Sequence, residues 1–250
     1  MRRHLRCAIV LIALFAAVGM SSARAADKVD LLLVLASDVS RSVDSAKFKL
    51  QREGYAAAIA NTRVLDAIRS GRNGRIAVTF MEWSGNGNQK VVIDWMAIDG
   101  PKAAQAFADQ LLELPRAFAD RTSISGGIDA AVAQIARAPF FAERQTIDVS
   151  GDGTNNAGRD VGQARDDALR LGITINGLVI LSPTPMPWNP EHTNPPGGLA
   201  KYYRDNVTGG PGSFVVEAKD FDSFGEAIIK KMIAEIADAT PAAGGLTSLE

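Results

Sequence analysis

The chain has 250 residues, 46% of them hydrophobic and 22% charged, with a formal net charge of −1. That is the balance of an ordinary globular protein with material for a sizeable core. The slight acidic excess argues against nucleic acid or an anionic membrane as the partner.

Arg2, Arg3 and Arg6 precede a mostly apolar run from Cys7 to Met20, and Ala23-Arg24-Ala25 follows as a small-x-small site. Residues 1–25 are read as a cleaved secretory signal peptide, with a periplasmic or secreted destination and no stable membrane insertion after cleavage. Cleavage removes four arginines and no acid, leaving 23 basic against 28 acidic residues, a net −5. The remaining chain has no cysteine and a single histidine, His192. This excludes disulfides, a thiolate zinc site, a cysteine nucleophile and any two-histidine site within one chain.

Val29 to Leu35 is apolar except for Asp30, which predicts a strand buried on both faces. Ser42 to Asn61 has helical character, with Leu50, Tyr55 and Ile59 on a candidate buried stripe. Arg75–Ser84 and Gln89–Trp95 straddle the turn Gly85-Asn86-Gly87-Asn88, as in a hairpin with one antiparallel edge strand. Pro101 opens a helix to about Leu112, because proline suits a first helical turn. The loop Pro115–Arg121 leads to a helix from about Ser123 to Arg137, which Pro139 ends.

Gln145–Val149 is a short buried strand, Ser150–Gly158 a polar loop, and Asp160–Leu171 a helix stopped by Gly172. The strand Ile173–Leu181 precedes an insertion, 182–198, that carries Pro183, Pro185, Pro187, Pro190, Pro195 and Pro196 together with Trp188 and His192. Long loops of this kind are often functional. Leu199–Asn206 reads as a short helix, Ser213–Ala218 as a strand and Phe221–Ala237 as an amphipathic helix. The tail 238–250 is expected to be disordered. Alternating strands and helices predict a doubly wound α/β fold over 26–237, with a mostly parallel sheet covered on both faces.

Ligands in such sheets sit where strands end and helices begin. Three polar signals fall there: Asp38-Val39-Ser40-Arg41-Ser42 after the first strand, Thr122 before a helix, and Asp152 in Ser150-Gly151-Asp152-Gly153. Two carboxylates and three hydroxyls suit a hard divalent cation such as magnesium, which takes oxygen ligands and keeps several waters. Neutral hydroxyls leave the ion residual positive charge for an acidic group of a partner. The alternative is helix capping, in which Asp38, Ser40 or Ser42 satisfies free N–H groups.

The Asp-x-Ser-x-Ser loop after an apolar first strand, the distant Thr122 and the later Asp152-Gly153 resemble the von Willebrand factor type A domain and its metal-ion-dependent adhesion site, most closely an uncharacterised exported bacterial branch. The resemblance spans roughly 29–237. It implies that Asp38, Ser40, Ser42, Thr122 and Asp152 ligate Mg2+, Mn2+ or Ca2+, directly or through water. It further implies a protein partner offering an acidic group. Arg41, Asn155 and Trp188 are candidates for the partner-binding rim. Three positions depart from the pattern: Arg41 where glycine is common, Val43 where methionine is common, and Gly151 where threonine or serine is usual.

Asp148 alternates with Ile147 and Val149, which predicts a structural role at the sheet end. Asn155 and Asn156 suit a turn. Trp83 and Trp95 suit packing, and His192 a solvated loop. No catalytic pair stands out, so the chain is read as a binding module and not an enzyme. The alternative is a hydrolase, with Ser40 or Ser150 as nucleophile and His192 as base, or with Asp38 and Asp152 around a metal. No G-x-S-x-G elbow, G-x-G-x-x-G or Walker loop is present.

Overall fold

A computed structural model describes residues 27–182 and 184–237. The expected signal peptide, 1–25, and the expected tail, 238–250, lie outside the described residues.

The elements run β1 (Asp27–Lys28), β2 (Leu32–Asp38), α1 (Ser45–Ile59), α2 (Thr62–Ser70), β3 (Ile76–Trp83), β4 (Gln89–Ile98), α3 (Pro101–Glu113) and α4 (Ile124–Ala136). They continue as β5 (Phe140–Phe141), β6 (Gln145–Gly151), α5 (Val161–Arg170), β7 (Thr174–Ile180), α6 (Pro190–Thr193), α7 (Leu199–Asn206), β8 (Val215–Ala218) and α8 (Phe224–Ala237). Six strands form the central sheet in the order β4-β3-β2-β6-β7-β8. All neighbours pair parallel except the antiparallel edge pair β3–β4. The doubly wound fold with one antiparallel edge strand is therefore the observed one. A separate two-stranded pairing of β1 with β5 is too short to show in the sequence.

Period-two alternation in β2 divides its side chains between two cores. Leu33 and Leu35 face a cluster with Tyr55 and Ile59 of α1, Val64 and Ile68 of α2, Phe107 of α3 and Phe224 of α8. Leu32, Val34 and Ala36 face a second cluster with Ile124 and Ile128 of α4, Ala164 and Ala168 of α5 and Tyr203 of α7. Covering both faces is what lets β2 be apolar throughout.

Four details differ from the expected elements. First, β2 ends at Asp38, not Leu35, because Ala36 and Ser37 remain in register with β3 and β6. Second, a further helix, α2, follows the expected one where none was foreseen; the Asn61 side chain accepts from Arg63 N (2.9 Å) and caps it. Third, β4 runs on to Ile98 past an irregularity opposite Val78 to Met81. Fourth, Asp148 is not at a sheet end: it lies mid-strand, in register with Leu35 and Asn176, and is fully buried. Its Oδ1 lies 2.7 Å from Lys231 Nζ of α8, which also binds Glu235.

β2 is the point at which the sheet reverses its winding, since the chain leaves it for β3 on one side and reaches β6 on the other. The crevice outside the carboxyl ends of β2 and β6 is where a doubly wound sheet binds ligands.

Candidate metal centre

Three loops meet at that crevice. Asp38 closes β2, Gly151 closes β6 just ahead of Asp152, and Thr122 precedes α4. Asp38, Ser40, Thr122 and Asp152 are each no more than 2% exposed, while Ser42 is half-buried. Asp38 Oδ1 accepts from Ser40 N (2.7 Å). The Ser40 and Ser42 hydroxyls lie 3.2 Å apart, and Ser42 donates to Asp152 Oδ1 (2.5 Å). The Asp38 and Asp152 loops thus touch directly.

Capping does not account for these groups. The N-cap of α1 is Asp44, whose carboxylate accepts from Ala46 N and Lys47 N, both at 2.9 Å. Asp38, Ser40 and Ser42 are left free of that duty.

Thr122 joins through the insertion. Its hydroxyl lies 3.3 Å from His192 Nε2, and Thr154 Oγ1 lies 3.2 Å from Nδ1 of the same ring. His192 is 4% exposed, not solvated as its polar neighbours suggested. The backbone fixes the threonine loop as well: Ser123 N donates to Ser84 O (2.7 Å), and Asn156 N donates to Thr122 O (2.8 Å). The backbone of the first loop is gripped from below. Arg116 donates through Nη2 to the carbonyls of Val39 and Ser40, and Arg41 N donates to Asp120 O (2.9 Å).

Electrostatically the two carboxylates are under-compensated. Burial, reinforced by the charge of Asp152, pushes Asp38 up to about 8. Burial also raises Asp152, against the hydrogen bond from Ser42 and the positive charges of Lys47 and His192. Burial lowers His192, opposed by Asp152. Lys47 Nζ donates to Ser42 O (2.8 Å) and stays 4.0 Å from Asp152 Oδ2. Asp38 Oδ2 and the Tyr203 hydroxyl are both buried without a hydrogen-bond partner. A Cβ at Gly151 would lie 2.6 Å from that hydroxyl and 3.1 Å from Asp38 Oδ2. Two orphaned oxygens at one glycine, beside two buried acids that disfavour each other's ionisation, fit a cation held by oxygen ligands. Among the described residues no group of three or more His, Cys, Asp or Glu side chains is placed to hold a metal. A cation at this crevice would meet two carboxylates plus hydroxyls, a set suited to a hard ion that retains waters.

Gly151 and Gly153 explain a local departure from the expected motif. A side chain at Gly151 would strike Tyr203, and one at Gly153 would lie 2.3 Å from His192 Cε1 and Nε2. Glycine on both sides of Asp152 was the available signal that two bulky groups close on this loop. Nothing comparable pointed to Lys47 or Arg116.

Of the rim candidates, Arg41 is exposed and lines a groove of about 350 Å³ with Ser42, Lys47, Met186 and Trp188. Trp188 is 80% exposed. Asn155 is half-buried, with its amide engaged: Oδ1 accepts from Ser125 N (3.1 Å) and Nδ2 donates to Arg159 O (3.2 Å). Trp83 is fully buried, and Trp95 donates from Nε1 to Gln134 O (3.1 Å). No serine–histidine pair forms at the site. Ser150 accepts from the Tyr55 hydroxyl (2.9 Å) and Ser40 meets Ser42, whereas His192 meets threonines and Asn156. Among the described residues no helix is long and apolar enough to cross a membrane.

Comparison with solved structures gives the same fold. The chain is similar to proximal thread matrix protein 1 from the mussel byssus, in a structure described as having a zinc-occupied MIDAS motif, at 14% identity and TM-score 0.57 over 84% of this chain and 49% of that one. It is also similar to the pilus adhesin SpaC from Lactobacillus rhamnosus GG, at 12% identity and TM-score 0.59 over 85% and 31%. A von Willebrand factor type A protein from Catenulispora acidiphila matches at 15% identity and TM-score 0.54 over 84% and 43%. The chain spans about half the length of the mussel protein. No curated relative matches. A family model described as "Protein of unknown function (DUF1194)" matches residues 28–240. The chain thus belongs to the DUF1194 family and has the von Willebrand factor type A fold.

Proposed function

We propose that this is an exported binding module that engages a protein through a divalent cation at Asp38, Ser40, Ser42, Thr122 and Asp152. One observation carries the reading: Asp38 and Asp152 are buried side by side, with Asp38 Oδ2 unpaired and Asp38 pushed up to about 8. Metal-free, such a pair retains a proton near neutrality. On binding a cation, Asp38 and Asp152 would give up that proton, and Asp38 Oδ2 would gain the partner it lacks. When bound, the ion would offer a partner's carboxylate a coordination position otherwise held by water, because two carboxylates and three neutral hydroxyls leave an octahedral shell incomplete. Arg41 and Trp188, on the open side of the groove, then contribute charge and apolar area to the contact. The adhesin and the zinc-occupied mussel protein among the solved structures support a binding role in this fold.

The test is thermal unfolding of chelator-treated protein with and without Mg2+ or Mn2+. At 100 times the dissociation constant, a folded-state ligand adds about 2.7 kcal/mol, so the midpoint is expected to rise by several degrees. Asp38→Ala is expected to abolish the rise. No rise in the intact protein, or a full rise in the variant, rejects the site.

A further inference from the structure

We propose that His192 is a positioning residue of the metal centre, through which the proline-rich insertion 182–198 sets the Thr122 hydroxyl toward the ion. The inference rests on the metal-binding reading above but concerns a residue and a segment outside the ligand set.

The hydrogen bonds select the imidazole's tautomer. Asn156 Oδ1 accepts from Thr122 N (2.9 Å), which fixes the orientation of its amide. Its Nδ2 therefore faces His192 Nδ1, at 3.4 Å, as a donor. Nδ1 must accept, so the proton of the neutral ring sits on Nε2. The Thr154 hydroxyl, 3.2 Å from Nδ1, is compatible as a second donor. Nε2–H then donates to Thr122 Oγ1 at 3.3 Å. One lone pair of the threonine oxygen is used and the other is left for a cation. Ring nitrogens that fix a ligating group in this way contribute to metal affinity without touching the metal.

The ring is held as a built feature. His192 is 4% exposed and sits on the one-turn helix α6 within the insertion. Its carbonyl accepts from Thr154 N (2.9 Å), so main chain and ring both tie the insertion to the Asp152 loop. The space it fills exists because residue 153 has no Cβ. The same segment carries the exposed Trp188 toward the groove. The α6 segment thereby meets both the Thr122 hydroxyl and the groove.

Two measurements on the chelator-treated full chain test this. Calorimetric titration with Mn2+ is expected to show a dissociation constant raised about 10- to 100-fold by His192→Ala. His192→Gln, whose amide N–H reaches the same place, is expected to recover most of that affinity. In a Thr122→Ala background the histidine substitution is expected to change affinity by less than about 2-fold, because its effect passes through Thr122. Nitrogen-15 shifts of the metal-free imidazole are expected to report the Nε2–H tautomer, a readout that does not depend on either variant folding. Unchanged affinity in His192→Ala, an undiminished loss in the Thr122→Ala background, or an Nδ1–H tautomer overturns the proposal while leaving metal binding intact. Failure of the wild-type chain to bind Mn2+ rejects the metal site itself, and this role with it.

Discussion

Single side chains at the crevice are constrained by atoms that only a folded chain brings together. Gly151 is the sharpest instance, because a Cβ there would lie 2.6 Å from the hydroxyl of the buried Tyr203. Gly151→Ala is expected to cost about 1–3 kcal/mol in urea unfolding, the range for overpacking a close-packed interior. Adding Tyr203→Phe is expected to recover most of that loss, since the hydroxyl is the colliding atom. Tyr203→Phe alone is expected to be near neutral or stabilising in metal-free protein, because that hydroxyl is buried without a partner. A larger loss in the double variant than in Gly151→Ala would show that the backbone, not the hydroxyl, sets the limit. The proposed ligands were legible in the sequence as candidates, since Asp38, Ser40 and Ser42 stand at and after the end of β2, Thr122 before α4 and Asp152 after β6. The neighbours that shape them were not. His192 lies 40 residues from Asp152 and reads locally as a loop residue, and its burial comes from the way the insertion folds back.

Among the elements, β6 and α8 share a buried charge cluster that the spacing of β6 did not reveal. Lys231 lies between Asp148 and Glu235, and all three are at most 1% exposed. Asn176 donates to Glu235 Oε1 (2.9 Å), and the Tyr55 hydroxyl, also buried, lies close enough to feel the charge of Asp148. Burial, with Glu235 adding to it and Lys231 opposing it, moves Asp148 from 3.8 to about 7. The folded chain therefore holds that proton more tightly than the unfolded chain. The resulting stability is complete below about pH 4 and is lost as pH rises to about 7. Asp148→Asn is expected to flatten that part of the profile, read from chemical unfolding at several pH values in chelator. An unchanged slope would place the proton elsewhere. Lys231→Met leaves two acids without their cation and is expected to cost about 3–5 kcal/mol near pH 7.5, and less at pH 5, where Asp148 is protonated. The individual charged residues were visible, but their meeting was not: Asp148 and Lys231 are 83 positions apart and face each other only because α8 packs against β7 and β8, beside β6 in the sheet.

For the whole molecule, the order of elements decided more than any one motif. Alternating strands and helices with a single Gly/Asn hairpin were enough to give the doubly wound sheet, because apolar runs such as Leu31–Ala36 need cover on both faces. That topology places β2 and β6 side by side and opens the crevice at their carboxyl ends, so Asp38 and Asp152 meet although 114 positions separate them. Lengths of connections were less legible. The pause at Asn61 and the one-turn α6 depend on a local cap and on tertiary contacts that periodicity does not report. The most direct measurement is an anomalous difference map from a crystal of the full chain soaked in Mn2+. One peak bounded by Asp38, Ser40, Ser42, Thr122 and Asp152 is the expected result. A map featureless at that crevice, or a peak only elsewhere on the molecule, would contradict it.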